Sequence, residues 1–183
     1  MDREEVGKRF GANGVELSAH TPCAEDHLDI QGKQFTTNQY DENGNLIKEG
    51  EFEKKQAELV RPIGEYNCRH FVFSIVLGVN EPSYSKKQLE NMKNDSLQKV
   101  TYNGKEYTKY QATQVQRRFE TAIRQQKDRQ IMAKSSGDLQ EVGKAQQKIT
   151  QLTREYNNFS KSVGLNTYKN RLTVSGYKRK KVK

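Results

Sequence analysis

The chain has 183 residues, with 32 Lys and Arg against 23 Asp and Glu, which gives a formal net charge of +9. This length fits one globular domain, or one domain with an extension, and excludes a large multidomain enzyme. Hydrophobic residues make up only 32% of the chain, and with the 13 glycines added the fraction stays below the roughly 45–50% of typical domains. No apolar run reaches the roughly 18–20 residues of a membrane span, and the charged start lacks the apolar region of a signal peptide. We therefore expect a soluble protein with a thin core, made in the cytoplasm and without a membrane partner.

The excess positive charge is confined to the C-terminal two fifths of the chain. Residues 1–110 hold 15 Lys and Arg against 18 Asp and Glu, a net charge of −3, whereas residues 111–183 hold 17 against 5, a net charge of +12. Clustered positive charge is typical of a surface that binds a polyanion such as DNA, although it also occurs on ordinary solvated helices and tails. Both interpretations stay open for the candidate nucleic-acid-binding residues, which are Arg117, Arg118, Arg124, Lys127, Lys178, Arg179, Lys180 and Lys181.

The first part of the chain shows the patterns of short strands and turns. Residues 1–14 are polar and form a lead-in, and residues 15–19 alternate as a short strand does. The pair Asn43 and Gly44 accepts the positive φ of a tight turn and predicts a hairpin between arms 34–40 and 46–48. The other predicted elements are a loop or single helical turn over 21–32 and a short charged helix over 51–59.

The most apolar run of the chain is FVFSIVLGV, residues 71–79. Its length and its aromatic and β-branched residues predict a fully buried strand at the centre of the core. Farther along, Ser85 and Gln88 have the spacing of a capping box at the start of a short helix. The pair Asn103 and Gly104 predicts the tight turn of a second hairpin over residues 100–107.

From Thr108 onward the apolar period changes from two to about 3.6 residues, which predicts helices. Thr108 and Gln111 can cap a long helix that ends near Lys134. Gly137 and Asp138 then supply a helix end and a new N-cap. The apolar residues predicted on one face of the first helix are Val115, Phe119, Ala122 and Ile123.

The second helix is predicted to run to about Val163, and its apolar residues step alternately by three and four, which is a heptad seam. Because the connection is short, the two helices should pack as an antiparallel hairpin. The seam could instead pair with another copy of the chain and form a homo-oligomer. After Gly164, residues 171–175 predict a last strand. The seam consists of Val142, Ala145, Ile149, Leu152, Tyr156, Phe159 and Val163.

All three histidines and both cysteines lie between positions 20 and 70. Thiolate and imidazole are the donors that zinc prefers, so a zinc ion held by four of these residues is one hypothesis. Such an ion would also support a thin core. The spacing lacks the paired knuckles of standard zinc sites. The candidate metal ligands are His20, Cys23, His27, Cys68 and His70.

Two other interpretations of the same residues stay open. In the catalytic one, a histidine is the general base or acid, Asp26 orients an imidazole, and Arg69 stabilises developing negative charge, as phosphodiester cleavage would require. In the structural one, the imidazoles and thiols are hydrogen-bonded core or turn residues. A disulfide between the two cysteines is disfavoured in a reducing cytosol. The candidate catalytic residues are His20, His27, Arg69 and His70.

No P-loop, Rossmann glycine pattern, nucleophile elbow or zincin motif occurs in the chain, so nucleotide-driven work and the common hydrolase classes have no support. The patterns together predict an α+β protein, with an N-terminal β-rich half of short strands and hairpins followed by a long antiparallel helical hairpin. The predicted regions are a lead-in (1–14), a β-rich His/Cys-containing region (15–110), a basic helical hairpin (111–164), and a short strand with a basic tail (165–183).

Several ordered motifs resemble the C-terminal part of the phage minor capsid protein family. They include the string GVELSAH over residues 14–20, Asp26-His27, QGK over 31–33, NCRH over 67–70, and YNGKEY over 102–107 followed by YQATQ over 110–114. The combination of NCRH with the preceding histidine and QGK motifs is the distinctive one. The resemblance extends from about Gly11 to about Gly176, and family members usually carry a long region upstream of these motifs.

The resemblance implies a virion component of a tailed phage or prophage, made in the host bacterial cytoplasm and located near the head or portal. Its partners would be other virion proteins, of the portal or capsid. The basic hairpin and tail are expected to contact DNA or the acidic surface of such a protein. We therefore expect a structural head protein involved in head assembly or DNA packaging. The alternative is a toxin-like or nucleic-acid-processing enzyme that uses the cluster of His20, His27, Arg69 and His70.

Overall fold

Backbone contacts divide the chain into two units, Met1–Gln98 and Lys99–Lys183. The computed structural model describes residues 7, 11–65 and 68–178, so most of the predicted lead-in lies outside the described residues. Short antiparallel strands precede two long packed helices, which confirms the predicted α+β class. None of the helices in the described part of the chain is long and apolar enough to cross a lipid bilayer.

The N-terminal unit is built on a three-stranded antiparallel sheet in the order β2-β1-β5. Its described elements, in chain order, are β1 (Gly14–Leu17), a 3-10 turn (Glu25–His27), β2 (Gln34–Thr36), β3 (Gln39–Tyr40), β4 (Leu46–Lys48), α1 (Glu51–Glu58), β5 (Val72–Ile75) and α2 (Lys86–Leu97). The capping box predicted at Ser85 and Gln88 is present at the start of α2.

Strand β1 is the centre of the N-terminal core. Val15 and Leu17 are buried in one cluster with Ile30, Phe52 and Ile63. All four residues of β1 are buried because a strand flanks it on each side and other segments cover its faces. The core therefore follows from the position of β1 in the sheet rather than from its hydrophobicity alone.

The prediction that residues 71–79 form a fully buried central strand was wrong. Only Val72–Ile75 is a strand, and it pairs with β1 at one side of the sheet. Phe71 is 61% exposed, Phe73 50% and Val79 75%. Phe73 stands opposite Glu16 in the register, so it points away from the face that carries Val15 and Leu17. A run of apolar residues does not by itself indicate which face of a strand the rest of the chain covers.

The predicted hairpin over residues 34–48 is correct around its turn and wrong along its first arm. Strands β3 and β4 pair across the turn, in which the Asp41 backbone N–H donates to the Asn45 carbonyl and Gly44 has φ 83°. Strand β2, however, pairs with β1. The long first arm is thus shared between two sheets, and a helix follows as predicted at 51–58.

The C-terminal unit begins with a hairpin that leads directly into the helices. Its described elements are β6 (Lys99–Tyr102), β7 (Lys105–Thr108), α3 (Lys109–Ser135), α4 (Leu139–Ser162) and a 3-10 helix (Lys169–Leu172). The turn residues Asn103 and Gly104 have φ 49° and 75°, the positive values that the Asn-Gly pair predicts. Thr108 and Gln111 form the predicted capping box of α3, and Asp138 caps α4.

The two long helices pack along the predicted seam of α4. Ala145, Ile149, Tyr156 and Phe159 are buried in α4, and Val163 is buried just after it. Phe159 is the aromatic centre, with the rings of Tyr102, Tyr107 and Phe119 at centroid distances of 5.1, 5.9 and 5.9 Å.

The buried face of α3 is partly polar, which the apolar pattern did not indicate. Gln116, Glu120 and Gln130 are each no more than 3% exposed. Gln116 Nε2 donates to Ser160 Oγ at 2.8 Å, and the Tyr156 hydroxyl donates to Glu120 Oε1 at 3.3 Å. These polar side chains can be buried because each has a hydrogen-bond partner on or after α4.

The last strand predicted over residues 171–175 was also wrong, since a 3-10 helix, Lys169–Leu172, begins this segment and no strand follows in the described residues. The reason lies in two cations of α3. Arg124 Nη1 donates to the Arg171 carbonyl and Lys127 Nζ donates to the Leu172 carbonyl. Side chains thus satisfy carbonyls that a neighbouring strand would otherwise have to bond.

Candidate metal centre

The sheet explains why distant histidines and cysteines meet. In the antiparallel pairing of β1 with β5, Leu17 lies opposite Val72, so the residues after β1 and the residues before β5 leave the sheet at the same end. The Ser18 backbone N–H donates to the Phe71 carbonyl at 2.9 Å and continues this pairing. His20 and His70 therefore lie in neighbouring segments, although 50 positions separate them.

His70 is the centre of the cluster. The His20 ring stacks on it at a centroid distance of 4.3 Å, and the His27 ring meets it edge-on at 5.2 Å. Cys68 Sγ lies 3.4 Å from His70 Nδ1, and Cys23 Sγ lies 3.7 Å from His70 Nε2. The other four residues predicted as metal ligands thus surround the His70 imidazole.

Three of the five have the geometry of a metal-binding group. His27, Cys68 and His70 offer ligand atoms that all lie within 4.8 Å of one another. Both histidines are buried and Cys68 is half-buried. One thiolate and two imidazoles are a donor set that suits a borderline-soft divalent ion, so this group could hold a metal.

The electrostatics of the cluster favour neutral imidazoles. Burial lowers the pKa of His70 to about 3, and the neighbouring His20 adds to this shift. Burial also lowers the pKa of His20, with a further contribution from the positive charge of Arg69. A neutral imidazole has a lone pair for a metal or a proton.

Cys23 differs from Cys68 in its surroundings. Burial raises the pKa of the Cys23 thiol to about 12, with a further contribution from Asp26, and its Sγ donates to the Ala24 carbonyl at 3.4 Å. Both cysteines are free. Because their sulfurs approach different nitrogens of the His70 ring, that ring lies between them.

The charged residues of the catalytic alternative also lie at the cluster. Arg69 Nη2 is 3.3 Å from His20 Nδ1 and donates to the Pro22 carbonyl at 3.0 Å. Asp26 pairs mainly with Arg61, at 2.6 Å, and is 3.8 Å from His27 Nε2. The carboxylate is thus held by a guanidinium rather than by an imidazole.

Gln31 is a site residue that reasoning from residue types missed. It is only 1% exposed, and its Oε1 accepts from the His20 backbone N–H at 3.1 Å and lies 3.4 Å from His70 Nε2. The following Gly32 has φ 68° and lies against Leu89, so the tight turn that buries Gln31 requires glycine. The only signal in the sequence was the QGK string, because a lone glutamine has no diagnostic pattern.

Five of the eight candidate nucleic-acid-binding residues lie in the described part of the chain, and they differ in exposure. Arg118 and Lys178 are exposed, and Arg117 is half-buried on α3. Arg124 and Lys127 are half-buried, and each donates a hydrogen bond to a backbone carbonyl of the 3-10 helix. The other three, which are Arg179, Lys180 and Lys181, lie outside the described residues.

A groove of about 430 Å³ is lined by α4, by Lys127 of α3, and by Leu172 and Tyr177 of the segment that follows α4. None of the described residues that line this groove is acidic. A second cavity, at the tip of the helical hairpin, is lined by Asp128, Asp138 and Glu141 together with Arg129. The polar and charged residues of the first groove include Lys127, Gln146, Thr150, Arg154, Asn157 and Asn158.

Strands that gather a His/Cys cluster, followed by a basic helical hairpin, define a two-unit α+β protein with a candidate metal centre. The family model described as Phage minor capsid protein 2 matches residues 2–161, and the chain belongs to this family. Neither the search of curated proteins nor the search of solved structures found a match. The match confirms the resemblance seen in the sequence motifs. Membership of a minor capsid family indicates a virion protein whose partners are other virion proteins.

Proposed function

We propose that this minor capsid protein is a structural component of the phage head whose C-terminal unit contacts DNA during head assembly or DNA packaging. The supporting observation is the distribution of charge between the units. Met1–Gln98 holds 12 Lys and Arg against 17 Asp and Glu, a net charge of −5, and Lys99–Lys183 holds 20 against 6, a net charge of +14. A polyanion would be attracted by one unit and repelled by the other.

The groove beside α4 is the proposed site of this contact. Its amides, hydroxyls and cations are the groups that commonly bind phosphate oxygens. The acidic cavity at the hairpin tip would repel the same phosphates, so the charge of the unit alone does not select the surface. Tyr177, which lines the groove, directly precedes the basic residues 178–181 in the sequence.

The test is the salt dependence of DNA binding by the full chain. Arg154→Gln should weaken binding and reduce the slope of log affinity against log salt by about one, as expected when one phosphate contact is lost. The matched control is Lys87→Gln, which removes the same charge from an exposed position of the N-terminal unit.

Removal of residues 178–183 should flatten the salt slope further, since five of these six residues are Lys or Arg. Equal binding by Arg154→Gln and Lys87→Gln would contradict the groove as the site. Absence of binding by the parent chain at low salt would contradict DNA as the partner and favour an acidic surface of a portal or capsid protein.

We further propose that His27, Cys68 and His70 bind a zinc ion and that this ion supports the N-terminal unit. Cys68 also packs against the core cluster around Val15 and Leu17, so a metal shared by its sulfur and His27 would tie that core to the 3-10 turn that carries His27. Metal analysis of purified protein should show one zinc per chain, and a chelator should lower the melting temperature. Melting unchanged by the chelator would contradict the supporting role.

The catalytic alternative is favoured by the contact between Arg69 and His20 at the edge of the cluster. It predicts cleavage of RNA or DNA, which His70→Ala would abolish. The structural proposal predicts that the purified protein leaves both nucleic acids intact. Gel analysis after prolonged incubation, with and without added zinc, separates the two.

A further inference from the structure

The hydrogen bonds of His27 indicate which of its nitrogens faces a metal. His27 Nε2 lies 2.6 Å from the Arg61 carbonyl oxygen. A carbonyl oxygen only accepts, so Nε2 must carry the proton, and the lone pair of the neutral ring is on Nδ1. Metal-binding histidines commonly donate their other ring N–H to such an oxygen.

Gln31 supplies the equivalent oxygen for His70. Its Oε1 accepts from the His20 backbone N–H, which fixes the orientation of the amide, and the same oxygen is 3.4 Å from His70 Nε2. The proton of a neutral His70 therefore belongs on Nε2. The lone pair is then on Nδ1, the nitrogen that lies 3.4 Å from Cys68 Sγ.

The geometry points to Gln31 as the positioning residue of the metal site: it holds His70 in the tautomer that presents Nδ1 beside the Cys68 sulfur, and Nδ1 of His27 is the third ligand. This inference rests on the proposed metal site. Cys23 stays outside the ligand set because its sulfur approaches Nε2, on the other side of the His70 ring, and donates to the Ala24 carbonyl.

The burial of Gln31 supports a role for its acceptor end. The side-chain Nε2 of Gln31 is buried and has no hydrogen-bond partner among the described residues. A buried, unpartnered N–H opposes folding, so the amide is poorly suited to a purely structural role. Its oxygen, in contrast, serves two donors at the centre of the cluster.

Cobalt(II) in place of zinc tests the ligand set, because a thiolate ligand gives cobalt a characteristic near-ultraviolet absorption band. The full chain should show this band. Cys68→Ser should lose it, and Cys23→Ser should keep it. Loss of the band in Cys23→Ser together with its retention in Cys68→Ser would overturn the assignment of ligands.

The positioning role is tested by the affinity for cobalt. Gln31→Met removes the acceptor at similar size and should weaken binding about 10–100-fold, whereas Gln31→Glu restores an acceptor and should recover most of the affinity. The matched control is Gln34→Met, a glutamine of β2 that donates to Glu16. If Gln31→Met binds cobalt as tightly as Gln34→Met, the positioning role is overturned while the metal site stands.

Long-range ¹H–¹⁵N spectra of the metal-free parent protein measure the tautomers directly and do not depend on the folding of a variant. His27 and His70 should both carry the proton on Nε2. A proton on Nδ1 of His70 would overturn the inference even if zinc binds. No cobalt binding by the parent protein, with Nε2 tautomers still observed, would overturn the metal site and with it the role of Gln31.

Discussion

The two units differ in how deeply they bury their candidate functional groups. The N-terminal unit has a slightly negative charge and buries His27, His70, the Cys23 thiol and Gln31 beside a small sheet. The C-terminal unit buries a row of aromatic and aliphatic residues around Phe159, and the cations among its described residues are half-buried or exposed. The difference shows that the low fraction of hydrophobic residues still supports two small cores. Each core depends on few residues.

The largest expected effect is the loss of the aromatic centre of the C-terminal unit. Phe159→Ala should reduce the free energy of unfolding by about 3–5 kcal/mol, because Phe159 is 1% exposed and contacts three other rings. Hydrogen exchange of the α3 and α4 amides would measure it. Leu139→Ala, at a position 82% exposed, is the control and should change protection little.

A somewhat smaller effect would locate the core of the N-terminal unit. Leu17→Ala should cost about 2–5 kcal/mol because its side chain is fully buried in β1. Val79→Ala, within the most apolar run, should cost little since Val79 is exposed. Chemical denaturation with a probe in the N-terminal unit gives both values. A larger loss for Val79→Ala would restore residues 71–79 as the centre of the core.

The smallest expected effect is a pH dependence of the N-terminal unit through Glu16. Burial alone would raise the pKa of this carboxyl, but hydrogen bonds from Ser83 and Gln34 outweigh it and lower the pKa. The resulting stabilisation is fully present above the unfolded value of about 4.3 and is lost as the pH falls through the lower, folded value. Glu16→Gln should flatten the decline in melting temperature below pH 5, and the exposed Glu42→Gln should not.

The features that could be predicted are those that local sequence determines. The capping boxes at Ser85 and Thr108, the Asn103-Gly104 turn and the seam of α4 each depend on residues a few positions apart. Helix ends followed from the same logic, because caps act within one turn. The family resemblance added the class of protein, which no local pattern could supply.

The features that could not be predicted depend on contacts between distant segments. β1 is central because β2 and β5 both pair with it, and nothing in its four residues indicates two neighbours. Gln31 belongs to the cluster because the chain folds back onto His70, 39 positions later. The final segment became a 3-10 helix because Arg124 and Lys127 bond its carbonyls, a contact that pattern analysis of residues 171–175 alone does not contain.

The polar row on α3 has a consequence for how the helical hairpin aligns. A heptad seam of aliphatic residues can slide by seven residues and still bury similar surface. Gln116 and Gln130 prevent such a slide, since each would leave its partners on or near α4, the Ser160 hydroxyl and the Val142 carbonyl, and would be buried without them. Together with the hydrogen bond between Tyr156 and Glu120, which lies between them, the two glutamines thus favour one alignment of the helices.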